Sequence, residues 1–322
     1  MSKRVLSVIL AAVIGFSLFP KSALVEEKDE TQDKGNQSVW LQISPVNNRV
    51  TLTAGEELDY NFTIENVGEE EVEYKLYAEP YSVVNEEYDA DFTTETPRTQ
   101  ISRWIKFYAA DDSLADSATF TIGKGERQTR GYRIEVPDSI PEGGQYAAIF
   151  AEPLNTQVDD TNGVRTIPRV GMIIYGSTKG DTVQSVEFLN HNFQSFIASG
   201  QLRPNTRIKN TGNTDIQAKY ELNIYTIFGK NIYKSSMTYA VLPETTRNID
   251  TVWENTPRIG IFYADYAVSI LDSDIEPQKV SKVILIVPIF VIIIALLLLT
   301  FLIIWTIMLI RKRKRQKSKL IV

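Results

Sequence analysis

Short runs of alternating apolar and polar residues fill most of the chain between positions 38 and 276. The runs are rich in Val, Ile, Tyr, Phe and Thr, and they are separated by Gly, Asn, Pro and Asp, which favour turns. A period of two buries one face of each strand and leaves the other face in water, as in antiparallel sheets. Helical periodicity is scarce here, so the pattern predicts an all-β region built of β-sandwiches.

Several features of this pattern repeat in order, which predicts two tandem sandwiches. An alternating strand reaches an Asn-x-Gly turn at Asn66 and again at Asn210, and each turn leads into a Tyr-rich strand. Later a Pro precedes a Gly and an aromatic strand, at Pro141 and again at Pro257. The spacing is kept only loosely, so it is the order of the features that suggests a duplication. The predicted domains cover 38–179 and 180–276, with the boundary where the apolar pattern is lost.

A long apolar run lies near the C-terminus. It covers 283–310, which is 28 residues without a charge. As a helix this run would be roughly 42 Å long at 1.5 Å per residue, more than the ~30 Å hydrocarbon core of a bilayer. The sequence therefore predicts a single transmembrane helix over 283–310, tilted or protruding from the membrane.

The flanks of this run differ in charge. Residues 311–322 hold seven Lys or Arg and no acid, whereas Asp272, Asp274 and Glu276 precede the run. Positively charged flanks stay in the cytoplasm. The sequence thus predicts a single-pass cell-membrane protein with its N-terminus outside and a cytoplasmic tail at 311–322.

The N-terminus has the layout of a secretory signal peptide. Lys3 and Arg4 precede an apolar run that Pro20 ends, and this run is too short for a comfortable span. We assign the signal peptide to 1–23, although cleavage after Ser17 and retention as an uncleaved anchor stay open. Residues 24–37 are charged and lack aromatic side chains, which predicts a disordered spacer.

Composition excludes several classes of function. The chain has no cysteine and a single histidine, which excludes disulfides, cysteine zinc sites and histidine metal clusters. No cofactor is expected. The lack of cysteine in a surface protein also favours a bacterial source. Without its last twelve residues the chain has 34 − 7 = 27 basic and 40 acidic residues, a net charge of −13. Such an acidic body predicts no nucleic-acid partner.

The candidate chemical residues point away from catalysis. His191 stands between two asparagines, which predicts a surface loop and not a catalytic triad. Acidic pairs resemble loop ligands for calcium, but without a ligand spacing we interpret them as solvated turns. No pair of carboxylates is placed for glycan cleavage, so we predict no catalytic, metal or cofactor site and leave the ligand-binding residues unknown. The acidic pairs are Asp89/Asp91, Asp111/Asp112 and Asp159/Asp160, and the predicted core tryptophans are Trp40, Trp104 and Trp253.

Two further segments admit more than one interpretation. Leu242–Thr246 is similar to a wall-sorting signal, but Thr246 replaces its Gly and a strand pattern follows, so we predict a turn that ends a strand. Ser82–Ser102 is polar and long for a sandwich connection. It is either a recognition loop or a mobile insertion.

The quoted motifs resemble those of bacterial surface proteins that are encoded beside WxL-domain proteins. The resemblance covers roughly residues 40–275 together with the span and tail. It implies two immunoglobulin-like sandwiches, an outer one that binds peptidoglycan and an inner one that binds a WxL partner. The stretches that carry it are Ile43-Ser44-Pro45, Leu52–Glu56, Ile64–Gly68, Trp104-Ile105, Val136-Pro137, Pro141–Tyr146, Asn210–Asn213, Ile227–Lys230 and Val241–Pro243.

We therefore expect a non-enzymatic, membrane-anchored adhesion or scaffold protein. Its expected partners are the membrane, peptidoglycan and a surface protein such as a WxL-domain protein. Two alternatives stay open at this point. One is a cell-wall glycan hydrolase, and the other is an accessory subunit that acts in a membrane complex through its span.

Overall fold

The computed structural model describes residues 41–154, 169–180 and 182–319, and for 312–319 it describes the backbone alone. The predicted signal peptide and spacer, Trp40, and the pair Asp159/Asp160 lie outside the described residues.

The described chain forms twenty strands and two helices, so the prediction of an all-β fold followed by one apolar helix is confirmed. The first sandwich contains β1 Leu41–Ser44, β2 Asn47–Leu52, β3 Glu57–Asn66, β4 Val72–Pro80, β5 Ser82–Val83, β6 Ala90–Asp91, helix α1 Ile101–Trp104, β7 Ile105–Tyr108, β8 Leu114–Ala115, β9 Ser117–Ile122, β10 Arg127–Glu135, β11 Gly144–Pro153 and β12 Val170–Thr178. The second contains β13 Val186–Asn192, β14 Phe196–Ile197, β15 Asn205–Asn210, β16 Ile216–Thr226, β17 Asn231–Val241, β18 Thr246–Asp250, β19 Gly260–Ile270 and β20 Gln278–Ile286, and helix α2 Ile289–Lys319 follows.

The two sandwiches share one topology. In the first, the sheet β1-β3-β10-β7-β8 packs against the sheet β2-β12-β11-β4-β9. In the second, β13-β15-β18 packs against β14-β20-β19-β16-β17. Each first strand divides between the two sheets, and its second part pairs in parallel with the last strand of its sandwich, β2 with β12 and β14 with β20. This is an immunoglobulin-like arrangement, repeated in tandem.

The shared topology shows where the first sandwich is longer. Its counterparts to β16 and β17 are β4 and β9, and residues 81–116 lie between them. The second sandwich crosses the same gap with the short turn 227–230. Strands β5–β8 and helix α1 are thus an insertion that only the first sandwich carries.

The repeated Asn-x-Gly turns have the same geometry in both sandwiches. Asn66 and Asn210 are fully buried at the ends of β3 and β15. In each, the side-chain oxygen accepts the N–H of the residue two positions on, Gly68 at 3.0 Å and Gly212 at 2.9 Å. The Asn66 amide donates to the carbonyl of Glu70, and the Asn210 amide donates to that of Thr214 at 2.8 Å. The order of features seen in the sequence therefore corresponds to one repeated structural element.

The C-terminal part differs from the predicted bounds. The second sandwich was predicted to end at residue 276, but β20 covers Gln278–Ile286 and pairs along its length with β19. Helix α2 begins at Ile289, so the predicted start at Val283 falls inside the last strand. The cause is that outward-facing Val283 and Leu285 are apolar like inward-facing Ile284, so the strand's alternation disappears into the apolar run. Within the described residues one helix, Ile289–Arg311, is long and apolar enough to cross a membrane.

Candidate functional site at the junction of the sandwiches

The inserted segment covers the outer face of a sheet. Strand β11 is buried at eight consecutive positions, because the first sandwich's core lies on one side and residues 81–92 lie on the other. Tyr146 and Phe150 on the outer face of β11 pack with Tyr81 and Phe92, and Leu242 of the second sandwich completes the cluster. We call residues 81–99 the clamp segment. It forms an aromatic layer between the two sandwiches.

Tyr88 is the main anchor of the clamp segment. Its ring packs against the second sandwich's core as well as the aromatic layer. Its hydroxyl accepts the backbone N–H of Leu242 at 2.6 Å and shares a 2.6 Å hydrogen bond with the Thr245 hydroxyl. The Arg247 guanidinium lies 4.1 Å from the ring centroid, a cation–π distance. Burial is the largest cause that raises the pKa of Tyr88, to about 12.

A second contact joins the backbones of the two sandwiches directly. The carbonyl oxygen of Asn213 accepts the N–H of Gly144 at 2.8 Å and the Arg98 guanidinium at 2.9 Å. Gly143 has a φ of +92°, and a Cβ on it would lie 2.2 Å from this same oxygen. Glycine at position 143, directly before β11, is therefore required both by the backbone conformation and by the close approach.

A third contact is a buried ionic group. Asp215 is only 6% exposed, and it accepts the Arg49 guanidinium of the first sandwich at 2.5 Å. The hydroxyl of Tyr146 accepts the Asp215 N–H at 2.8 Å. Arg49 also lies 4.5 Å from the centroid of the Tyr175 ring. Burial raises the pKa of Tyr146 well above its ordinary value, and the adjacent Asp215 carboxylate acts in the same direction.

The remaining junction contacts are more exposed. Arg207 donates two hydrogen bonds to the Glu86 carboxylate, at 2.6 and 2.5 Å, and these bonds are the main cause that lowers the pKa of Glu86. The Glu86 carbonyl accepts the backbone N–H of Asn248 at 2.9 Å. Such half-exposed ion pairs contribute little to stability and mainly align the two sandwiches with each other.

A cleft of about 410 Å³ opens beside these contacts. Its walls come from the clamp segment, from residues 141–146 and from residues 242–245. Arg98 crosses its mouth and pairs with Glu244 at 2.9 Å. The cleft has the size of a small-ligand site, with an apolar floor at Tyr81 and Leu242 and polar groups at its rim. The cleft can hold part of a peptide or sugar. Among the described residues, no group of three or more carboxylates or histidines is close enough together to bind a metal ion.

The second sandwich also presents a long open edge. Strand β17 has eleven residues and pairs with β16 on one side only, and no strand among the described residues pairs with its other side. Most of it is exposed, with Lys234 as its only charged residue and Met237 among its exposed apolar side chains. An open edge of this length with a single charge is suited to accept a strand from another chain.

The structure corrects one prediction for a single residue. His191 lies in strand β13 and is half-buried, so the surface-loop prediction is wrong. Its Nδ1 bonds the Thr206 hydroxyl at 2.7 Å, and its ring lies 5.1 Å from that of Tyr266. Burial lowers the pKa of His191, with a smaller effect from Lys282. Flanking asparagines suggested a loop, but they alternate outward while His191 turns towards the core.

Other predicted roles agree with the structure. Trp104 and Trp253 are buried in the two cores. Leu242–Thr245 is the turn between β17 and β18, as predicted, and it lies inside the junction. Asp111 and Asp112 lie in a turn, where the Asp111 carboxylate accepts the N–H of Ser113, whereas Asp91 ends strand β6 and accepts the N–H of Thr93.

The segment Ser82–Ser102 is an ordered insertion that packs between the sandwiches and is not freely mobile, while its role as a recognition loop stays a prediction. Within this segment Glu86, Tyr88 and Arg98 hold the two sandwiches together. The sequence offered one signal: aromatic side chains at 81, 88 and 92 are unusual in a freely mobile loop.

Comparison with known proteins adds similarity of fold alone. No family profile matches the sequence, and no curated protein matches it. A chaperone–tip adhesin complex of CFA/I fimbriae biogenesis is 12% identical, with 75% of this chain and 98% of that chain covered and a TM-score of 0.36. The class 5 fimbriae chaperone CfaA is 12% identical, with 77% and 99% covered and a TM-score of 0.36. The CsuC–CsuE chaperone–tip adhesion subunit complex of Acinetobacter baumannii is 11% identical, with 76% and 98% covered and a TM-score of 0.36.

Proposed function

We propose that this protein is a non-enzymatic cell-surface scaffold, anchored by helix α2, that holds two binding domains at a fixed height above the membrane. One observation carries the proposal: the two sandwiches are joined by a shared aromatic layer, and the second leads into α2 through only Val287 and Pro288. A mobile tether would need a longer connection at one of these points. The geometry therefore favours a rigid stalk that presents surfaces.

The two sandwiches have different positions and hence different proposed partners. The second is held beside the membrane, where a large polymer has little access, so its open edge β17 is assigned to a protein partner that adds a strand. The first is carried outward and is assigned to cell-wall polymer. The resemblance to proteins encoded beside WxL-domain proteins supports the same division, with peptidoglycan outside and a WxL-domain protein inside.

The anchor and its orientation are tested by proteolysis of whole cells after removal of the wall. We expect added protease to degrade both sandwiches and to spare the basic tail at 311–319, because positively charged flanks remain in the cytoplasm. Antibodies to the two regions would report the outcome. A protected pair of sandwiches, or a degraded tail, would contradict the proposal.

Binding is tested with the full-length chain in detergent. We expect it to co-sediment with purified peptidoglycan sacculi and to capture a WxL-domain protein. Met237→Lys adds a charge to the open edge β17, so it should reduce the amount of captured partner at least tenfold. Binding to sacculi should be unchanged. The matched control is Thr119→Lys, an exposed position on the corresponding edge β9 of the first sandwich, which should retain the partner.

Three results would refute this assignment. The first is that the wild-type chain binds neither target, and the second is that Met237→Lys and Thr119→Lys lose the partner equally. The third is that the purified chain turns over cell-wall glycan. The last result would restore the hydrolase alternative.

A further inference from the structure

The end of the second sandwich that faces helix α2 is apolar on its surface. Strand β20 runs towards α2, so β19 and β17 begin at this end and β16 finishes there, because each pairs antiparallel with its neighbour. Strand β14 pairs in parallel with the last two residues of β20. The exposed apolar side chains gathered at this end, which we call the helix-end patch, are Phe196, Ile227, Phe228, Ile259, Ile261 and Leu285.

Phe228 is the most prominent member of the patch. It lies at the tip of the β16–β17 turn and is 90% exposed. The turn is fixed by the Thr226 N–H donating to the Lys230 carbonyl and by the Gly229 N–H donating to the Thr226 carbonyl, both at 2.9 Å. The backbone is thus constrained to point an aromatic ring away from the domain. Exposing such a ring to water is unfavourable, which suggests that another phase or surface covers it.

The outer face of the sheet changes character along its length. Near α2, adjacent strands pair Ile261 with Leu285 and Tyr263 with Val283, and all four are exposed. The next rows away from α2 pair Asp265 with Ser281 and Ala267 with Lys279. Only the rows closest to the helix are apolar, so the apolar surface forms a band at one end and does not cover the whole face.

This band is continuous with the helix. The N–H of Leu285 donates to the Ser195 carbonyl at 2.8 Å, and the N–H of Val287 donates to the Ile197 carbonyl at 3.0 Å. The strand is therefore still held to the sandwich one residue before Pro288, and α2 starts at Ile289. If α2 spans the membrane, the patch cannot be far from the bilayer surface.

We infer that the helix-end patch docks into the outer lipid interface of the membrane that α2 spans, with Phe228 inserted among the acyl chains close to the headgroups. Exposed Lys230 and Arg258 flank the patch and are placed to bind lipid phosphates, while the exposed acidic residues Asp250 and Glu254 lie at the same end. This inference rests on the proposed membrane anchor. It adds that the bilayer fixes the tilt of the stalk as well as its height.

The test uses the full-length chain reconstituted in vesicles of phosphatidylcholine and phosphatidylglycerol. The chain has no cysteine, so one cysteine at a time can carry an environment-sensitive NBD fluorophore. Three variants are compared: Phe228→Cys in the patch, Glu276→Cys in the loop at the opposite end of the sheet, and Leu298→Cys within α2. Lipids carry a doxyl quencher either near the headgroup or deep in the acyl chain.

We expect the label at 228 to emit at shorter wavelength than the label at 276 and to be quenched more by the shallow doxyl group than by the deep one. The label at 298 should be quenched more by the deep group. Circular dichroism of each labelled protein checks the fold. The labelled positions are exposed, so the fluorophore does not have to enter the core. A label at Ile261→Cys should repeat the result for 228.

The other outcomes separate the two proposals. If 298 is quenched and 228 behaves like 276, docking is refuted and the anchor stands. If 228 shifts to shorter wavelength without quenching by either lipid, a second copy or another protein covers the patch and docking is again refuted. If 298 itself is not quenched, the anchor fails and the docking inference fails with it.

Discussion

The equivalent strands β11 and β19 of the two sandwiches have outer faces in different environments. The outer face of β11 carries Tyr146, Ala148 and Phe150 and is buried beneath the clamp segment and Leu242 of the second sandwich. The corresponding face of β19 carries exposed Ile261 and Tyr263 near the helix and Asp265 further away. The difference shows that the insertion carried by the first sandwich turns a sheet face that would otherwise be open to solvent into an interface. In the other copy, only the end beside α2 kept apolar groups outside.

This comparison has a consequence for stability. The aromatic layer belongs to both sandwiches, since it contains Leu242 of the second sandwich and since Tyr88 packs against both the layer and the second core. The sandwiches should therefore unfold together unless the layer is broken. Three experiments address this coupling, in order of decreasing expected effect.

The largest effect is expected at alkaline pH. Burial raises the pKa of Tyr132 in the first core and of Tyr266 in the second to about 12. Unfolded tyrosine loses its proton near its ordinary pKa of about 10, so the stabilisation is complete below pH 10 and is lost as the pH rises through 12. Two pH units correspond to roughly 3 kcal/mol for each residue. We expect cooperative unfolding in this window, measured by circular dichroism and by tyrosinate absorbance.

Single phenylalanine variants sharpen this experiment. Tyr132→Phe and Tyr266→Phe each remove one ionisation, so each should move the alkaline midpoint upward. If the sandwiches are coupled, both variants shift the same single transition. Two separate alkaline unfolding transitions in the wild-type chain would contradict the coupling.

A smaller effect is expected when the anchor of the clamp segment is removed. Tyr88→Ala deletes an aromatic ring and leaves the N–H of Leu242 without its acceptor, at a cost of about 3 kcal/mol. Because the layer is then broken, thermal unfolding should divide into two transitions. Tyr88→Phe is the matched control that keeps the ring, and it should cost about 1 kcal/mol with one transition retained. An unchanged melting curve for Tyr88→Ala would show that the clamp does not couple the sandwiches.

The smallest effect is expected at a single glycine. Gly143→Ala adds a Cβ that meets the Asn213 carbonyl, in addition to the strain of a positive φ, and should cost about 2 kcal/mol. Gly125→Ala is matched in backbone conformation, with a φ of +68°, but has open space around its Cβ and should cost about 1 kcal/mol. Urea unfolding measures both. Equal losses of unfolding free energy in the two variants would mean that the backbone at 143 moves away from the Asn213 carbonyl without further destabilisation.

Much of the fold followed from local sequence. Alternation of apolar and polar residues predicted strands such as β16, and the Asn-x-Gly turns at Asn66 and Asn210 predicted the repeat, because period and turn chemistry are properties of neighbouring residues. The bounds of strand β20 escaped prediction because its outer face is apolar at Val283 and Leu285, next to the helix. The same feature that hid the strand also marks the helix-end patch.

The candidate site could not be predicted in the same way. Tyr88 and Leu242 are 154 positions apart, and so are joined only after both sandwiches have formed. Nothing local in Ser82–Ser102 states which surface it covers, since polar groups such as Glu86 and Arg98 find their partners across the junction.

The sequence by itself determined the class of fold, the number of sandwiches and the apolar helix, since each depends on short-range periodicity or composition. Only the tertiary structure decided that an apparently free loop is a clamp, that β17 is an open edge and that Phe228 lies at the end of the sandwich that leads into the helix. The physical reason is that burial and pairing of a side chain depend on groups distant in the chain. Their positions are fixed by packing of whole sheets, which no local pattern encodes.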